Sequence, residues 1–225
     1  MFDRGPILMF FAHPDDETLA AGATIHKLTR SGAEVWIAIA ATGAISREGA
    51  TTEDVASLRE DCKRAASVLG IPGERVIFGD FPDNAMDSLP LLSVNKWLES
   101  IVARTRPATV VTHHQRCTNI DHRYCFEAAT VATRPAAGRH IALLSGEIVS
   151  STGYLRPAQF EPNLYVRVEE ADIDAKCRAI ACYASEIHRP PHPRSVEVLR
   201  ALSVVRGSEG GYPSAEAFMM IRDFA

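Results

Sequence analysis

Two short segments hold most of the residues that could do hydrolytic chemistry. The first is His13-Pro14-Asp15-Asp16-Glu17; the second runs from Thr112 through His113, His114 and Asn119 to Asp121 and His122. A catalytic zinc takes three protein ligands from His and Asp/Glu and keeps one position open for water. His13 and Asp16 are three residues apart, which brings both side chains to one side of a turn entering a helix. His122, or one of His113 and His114, can supply the third ligand. With Asp16 on the metal, Asp15 is free as general base towards the attacking water. Glu17 is expected to orient His13 or to cap the helix. A plainer account competes: Pro-Asp-Asp-Glu also suits a first helical turn, where proline is pre-set and acids meet the positive end of the dipole.

The chemistry depends on elements that bring the two segments together. Short β-rich runs at Ile7–Phe11, Glu34–Ala40, Arg75–Phe78, Ala108–Thr112 and Ile141–Ser145 alternate with helical patterns. These patterns cover Glu17–Arg30, Glu53–Leu69, Leu91–Thr105 and His122–Thr133. In the second, Val55, Leu58, Cys62, Ala65, Ala66 and Leu69 recur at helical spacing, and Gly70 and Pro72 stop it. Such alternation implies parallel strands joined by right-handed crossovers, hence an α/β, Rossmann-like sandwich with a mostly parallel sheet and helices on both faces. If the first half runs outward as strands 3-2-1, the fourth strand lies beside the first. Both polar segments then meet at the crevice where strand order reverses.

After Ser145 the alternation breaks down into an irregular C-terminal part, with loop at Gly153, Pro157 and Pro162. An edge strand at Tyr165–Val168 and helices at Ile173–Ala184 and Arg194–Arg206 are expected. No composition shift marks a linker, so residues 1–225 read as a single domain.

The 225 residues include 24 Lys+Arg and 28 Asp+Glu, a formal net charge of -4, with no basic run, so nucleic acid is not an expected partner. The apolar stretch Ile7–Ala12 is far too short to span a bilayer and lacks a basic leader. Neither a signal peptide nor an integral membrane segment is expected. Five cysteines without a CxxC pair suggest reduced thiols, no disulfide and a cytoplasmic setting. A glycine-rich dinucleotide fingerprint does not follow the first strand, which counts against a non-catalytic Rossmann-like sugar- or nucleotide-binding module.

The His13–Glu17 run, with Asn119-Ile120-Asp121-His122-Arg123 downstream, resembles the zinc de-N-acetylases of the PIG-L/LmbE-like family. The likeness runs from about Ile7 to Arg222. Supporting stretches are Thr42-Gly43, Arg59-Glu60, Phe81-Pro82-Asp83-Asn84, Glu147 with Ser150-Ser151-Thr152, His192-Pro193-Arg194-Ser195 and Ala215-Glu216-Ala217-Phe218. The resemblance implies His13, Asp16 and His122 as zinc ligands and Asp15 as general base. It implies hydrolysis of the N-acetyl group of an N-acetylglucosamine-type sugar or sugar conjugate, releasing acetate and a free amine. It also implies a late histidine, here His192, as donor to the oxyanion, in some members from a neighbouring subunit, which would make a homo-oligomer functional.

Many members carry His-Pro-Asp-His in the second motif, whereas this chain has Asn119 at the first position. An asparagine cannot shuttle a proton, so His114, His113 or His192 is left to replace it. Arg59, Asp83 and Arg47 are candidate substrate contacts, with a solvated arginine and an Asx turn as the plainer readings of the first two. Iron(II) or another divalent ion could replace zinc, because a site of two His and one Asp selects weakly. A zinc amidase acting on a larger acyl group of a glucosamine conjugate is the nearest rival.

Overall fold

The computed structural model describes residues 2–154 and 160–224; Pro157 lies outside the described residues. Strand β1 (Ile7–Phe11) is apolar and buried at every position, the mark of a strand covered on both faces. Its side chains alternate: Ile7, Met9 and Phe11 enter one core layer and Leu8 and Phe10 the other. Helix α1 (Asp16–Arg30) follows, then β2 (Val35–Ala41), α2 (Thr52–Val68), β3 (Val76–Phe81), α3 (Leu91–Thr105), β4 (Thr109–His113), α4 (Ile120–Ala132) and β5 (Ala142–Gly146). The chain continues through β6 (Leu164–Arg167), α5 (Glu170–Ile180), α6 (Val196–Gly210) and β7 (Ala215–Arg222). The first layer packs Leu19 and Ile25 of α1, Leu58 and Cys62 of α2 and Ile180 of α5. The second packs Val94 and Leu98 of α3 and Cys125 and Ala129 of α4.

One sheet of seven strands runs β3-β2-β1-β4-β5-β7-β6. β1 to β5 are mutually parallel, with Ile7 opposite both Val35 and Thr109. The order reverses between β1 and β4, so the loops that leave their carboxyl ends are neighbours, as the alternation implies.

The C-terminal part is more regular than its pattern suggested. β7 was not expected: it runs antiparallel between β5 and β6 and joins them into the sheet. Its first four residues are buried and its last four partly exposed, so it shows no period-two signal. Glu216 and two alanines further disguise it as a non-strand. α5 begins at Glu170, earlier than expected, because Glu169 and Asp172 form a capping box, and it ends before Tyr183, which is buried in a turn.

Glu216 also acts on α1. Its carboxylate accepts the backbone N–H groups of Ala23 (3.1 Å) and Thr24 (2.7 Å). Lys176 of α5 donates to Glu216 (2.6 Å) and to the carbonyl of Leu19 (2.8 Å). A buried ion pair is thus let into the helix. Glycine at position 22 permits it, since a Cβ there would lie 2.9 Å from Lys176 Cγ.

Candidate metal centre and active site

The loop from β1 to α1 carries the first motif. Gly43, after β2, lies against it in a positive-φ conformation, and a Cβ there would fall 2.7 Å from Pro14 Cδ. Asp15 has φ 103°, a backbone that costs on the order of 1–3 kcal/mol and persists only when its surroundings impose it. Glu17 is what imposes it. Its carboxylate accepts the Asp15 N–H (3.1 Å) and is fixed by the hydroxyls of Thr18 (2.6 Å) and Tyr183 (2.6 Å). Glu17 therefore holds Asp15 rather than His13. Burial pushes its carboxyl above the ordinary glutamate range, against the pull of those donors.

Asp16 sits at the first position of α1 with His13 on one side and His122 on the other. Its Oδ2 lies 3.2 Å from His13 Nδ1 and 3.4 Å from His122 Nε2, while its buried Oδ1 has no hydrogen-bond partner among the described residues. For ligands at about 2.0–2.1 Å from a tetrahedral zinc, the ligand–ligand edge is about 3.3–3.4 Å. The three donor atoms all fall within 4.8 Å of one another, so they fit such an ion. Charge fits as well. Burial works against protonation of His13, but Asp121, Asp16 and Asp83 outweigh it and raise its pKa well above the usual value. Without a metal, the imidazole is the cation these carboxylates ask for. Burial opposes ionisation of Asp16 too, yet the neighbouring histidines, His122 first, pull its pKa well below the carboxylate range.

Hydrogen bonding distinguishes the three histidine alternatives. His113 stacks on His122 with ring centroids 3.8 Å apart and reaches within 3.5 Å of Asp16 Oδ2. Its Nε2, however, accepts the Ala12 N–H at 2.8 Å, so that lone pair is spent. Burial lowers its pKa well below the usual range, which keeps the ring neutral. His114 turns elsewhere: Nδ1 accepts the Arg116 N–H and the ring edge meets Phe160.

Asp121 has a place in this centre that its sequence context did not reveal. It accepts Asn84 N–H (2.6 Å) and Met86 N–H (3.0 Å) and lies 3.0 Å from His13 Nε2. With both oxygens engaged by backbone donors, it serves to orient His13 with Nδ1 towards Asp16. The only sequence signal was an acid in the first turn of α4, which also satisfies the helix dipole. Asp83 lies 3.3 Å from His13 Nε2 through Oδ1, and its Oδ2 is held by Ser46 N–H and Oγ.

The other expected contacts are dispersed. Asn119 is the N-cap of α4: its Oδ1 accepts Asp121 N–H (2.8 Å) and its Nδ2 donates to Asn84 Oδ1 (2.6 Å). Arg59 faces β3, donating to the Gly79 carbonyl and Asp80 with its guanidinium over Phe78, so it is a side chain engaged on the sheet rather than a solvated arginine. Arg47 pairs with Glu186 on the rim, beside a cavity of about 390 Å³ lined by Leu58, Asp61 and Ser185. His192 lies in the α5–α6 segment, where its Nδ1 accepts the Arg194 N–H and its ring packs on His188. The side chain of that segment that reaches Asp15 is Arg194, with Nη1 2.8 Å from Asp15 Oδ2. Its proximity to Asp15 was not legible, since 179 residues separate them.

The chain matches the family described as "PIG-L: GlcNAc-PI de-N-acetylase" over residues 8–133, more than half its length. It is 26% identical to a diacetylchitobiose deacetylase of Thermococcus kodakarensis, over 97% of this chain and 84% of the relative. A probable N-acetyl-alpha-D-glucosaminyl L-malate deacetylase 2 of Bacillus cereus is 30% identical over 48% of this chain and 51% of its own. Among solved structures, an N,N'-diacetylchitobiose deacetylase of Pyrococcus horikoshii superposes with a TM-score of 0.76 at 21% identity, covering 97% of this chain and 84% of that one. A 4-carboxy-2-hydroxymuconate hydratase of Pseudomonas putida superposes with a TM-score of 0.73 at 19% identity, covering 98% of each. The same fold serves a deacetylase and a hydratase, so the reaction has to be argued from the site.

Proposed function

This chain belongs to the PIG-L family of GlcNAc-PI de-N-acetylases, and on that premise we propose that it is a zinc-dependent hydrolase of the N-acetyl group of a glucosamine-type sugar or sugar conjugate. The observation that carries the reading is Asp16, one residue from the buried Asp15: its Oδ2 lies between His13 and His122, and its buried Oδ1 has no hydrogen-bond partner among the described residues. His13 through Nδ1, His122 through Nε2 and Asp16 hold the metal. When bound, zinc supplies Lewis acidity, which acidifies water near neutral pH and polarises an amide carbonyl.

Asp15 manages the proton. Among the described residues its Oδ1 has no hydrogen-bond partner, and it takes the proton of the attacking water. As the water oxygen bonds to the acyl carbon and the C–N bond breaks, the proton passes to the leaving amine, and acetate and the free amine result. Burial raises the Asp15 pKa well above the carboxylate range, against the pull of Arg194, which suits a group that must hold a proton as well as release it. His113, neutral and already bonded to Ala12, cannot donate through Nε2, and Asn119 is committed to its cap. His192, two residues from the Asp15-bound Arg194, is the remaining candidate for oxyanion donor, and Asp83 and Arg47 for contacts to the sugar and its substituent.

Two relatives point to the substrate class, one named for diacetylchitobiose and the other for N-acetylglucosaminyl malate. Among the described residues, no helix is long and apolar enough to cross a membrane. A polar, open rim with Arg47 suits a hydrophilic sugar conjugate better than a lipid. The test is acetate release by the zinc-loaded protein from N-acetylglucosamine, its nucleotide diphosphate, N,N'-diacetylchitobiose and an N-acetylglucosaminyl malate. Release from at least one is expected, with kcat reduced about 10²- to 10⁴-fold in Asp15→Asn. No release by protein with confirmed bound zinc, or release indifferent to Asp15→Asn, would overturn the reading.

A further inference from the structure

The segment between α5 and α6 folds back over the β1–α1 loop and brings one cation to Asp15. Arg194 Nη1 lies 2.8 Å from Asp15 Oδ2 and 3.0 Å from Glu186 Oε2, and Nε donates to Ser150 Oγ at 3.1 Å. Glu186 is braced in turn by Arg47 and by the Ser185 hydroxyl at 2.9 Å. One hydrogen-bonded chain thus links four stretches: Asp15 in the loop after β1, Arg194 and Glu186 in the α5–α6 segment, Arg47 in the loop after β2 and Ser150 in the loop after β5.

The contact is asymmetric in a way that matters for proton transfer. Asp15 Oδ2 is taken by Arg194, and Oδ1 is the oxygen left without a partner among the described residues. Asp15 is only 2% exposed, and Asp16, Glu17 and Glu186 surround it with like charge. Among the described residues, Arg194 is the hydrogen-bond partner that fixes the rotation of this short side chain's carboxyl group, on a backbone already in an unusual conformation. A guanidinium suits the task because its planar fork fixes direction as well as charge.

We infer that Arg194 is a positioning residue for the hydrolysis: braced by Glu186, it pins Asp15 Oδ2 and leaves Oδ1 as the oxygen presented to the reacting water. The inference rests on the reading of Asp15 as the general base. It differs from a stability role in what should change when Arg194 is lost. A misdirected base still binds substrate and leaves the metal ligands untouched, while a displacement of about 1 Å near the chemistry can cost about 100-fold in rate.

The experiment compares Arg194→Ala and Arg194→Lys with the wild type in the full-length, zinc-loaded protein. For Arg194→Ala, kcat is expected to fall about 100-fold with KM within about twofold and zinc content unchanged. Arg194→Lys, a single-pronged cation, should recover part of the loss, and millimolar guanidinium should partly restore the alanine variant. Crystal structures supply a readout independent of turnover: the Asp15 carboxylate should rotate or become disordered in Arg194→Ala while His13, Asp16 and His122 stay in place. An unmoved Asp15, a rise in KM alone, or loss of zinc would overturn the inference. If the wild type hydrolyses nothing in the panel, the functional reading fails, and the crystallographic comparison still decides whether Arg194 fixes Asp15. Should Arg194→Ala not fold, Glu186→Gln loosens the brace from the other side. A fall in kcat at constant KM is then expected, and no change would overturn the inference.

Discussion

Helix α1 touches two buried charged clusters, one at its start and one in its middle, and they are built on opposite principles. In the middle, Lys176 and Glu216 neutralise each other, and both Glu216 oxygens also accept helix N–H groups. At the start, three carboxylates face His13, one oxygen of Asp16 has no partner, and His122 Nδ1 has none either. Burying a polar group without a partner costs roughly 1–3 kcal/mol, so a fold keeps such a defect only where something repays it. The complete cluster is a staple between α1, α5 and β7. The incomplete one is the place where the proposed metal would bind.

If that contrast is right, the two clusters fail differently. Glu216→Ala leaves Lys176 as an unpaired buried charge and uncaps two helix N–H groups, and it should destabilise the protein by about 3–5 kcal/mol in urea unfolding. Replacing both partners with apolar residues of similar size, Lys176→Met with Glu216→Leu, should recover much of that loss. A loss below about 1 kcal/mol for Glu216→Ala would mean that the middle cluster is ornament and the contrast is void.

The next effect in size falls at the start of the helix. Asp121→Asn keeps an acceptor near His13 but removes the charge that orients the imidazole. Zinc affinity, measured by competition with a chromophoric chelator, should fall about 10- to 100-fold. Stability of the metal-free protein should change little, because the carboxamide oxygen can still accept one of the two backbone donors. Unchanged affinity together with a large loss of stability would move Asp121 from the metal site to the structural class.

How much of this was legible in the sequence follows from the range of each interaction. The run Ile7–Phe11 ending in His13–Glu17 declares a buried strand and a polar loop locally, and alternation then fixes the neighbour across the switch point. His13 and Asp16 follow from that logic as candidate ligands, whereas it left the third open among His113, His114 and His122, and only the family resemblance singled out His122. Asp121 does not follow from it, because an acid in a first helical turn has a sufficient local explanation. Arg59 stayed open between substrate contact and solvated arginine, because helical spacing says which face a residue occupies but not that Asp80 and Phe78 stand on β3 to engage it. Arg194 and β7 were hidden for one reason: each depends on a partner far along the chain, and β7 in addition lacks alternation. The resemblance points to His192, whereas the side chain of that segment that reaches Asp15 is Arg194.

Asn119 offers the smallest and most discriminating prediction, because it stands between the two kinds of cluster. Its Oδ1 completes the N-terminus of α4, a structural task, while its Nδ2 holds Asn84, whose own N–H fixes Asp121 beside His13. Asn119→Ala loses both and should cost about 1 kcal/mol, the usual worth of such a cap. In a chain of this size that lowers the melting temperature by roughly 2–4 °C. Asn119→Asp keeps the capping oxygen, which the helix dipole favours, but has no hydrogen to give Asn84. The aspartate variant should therefore melt close to the wild type, and zinc affinity shows whether the Asn84 tie matters. If affinity falls in both variants while only alanine lowers the melting temperature, the cap and the tie are separable and Asn119 reaches the metal through Asn84 and Asp121. If both variants bind zinc as the wild type does, Asn119 belongs with Glu216 among the groups whose partners are already complete.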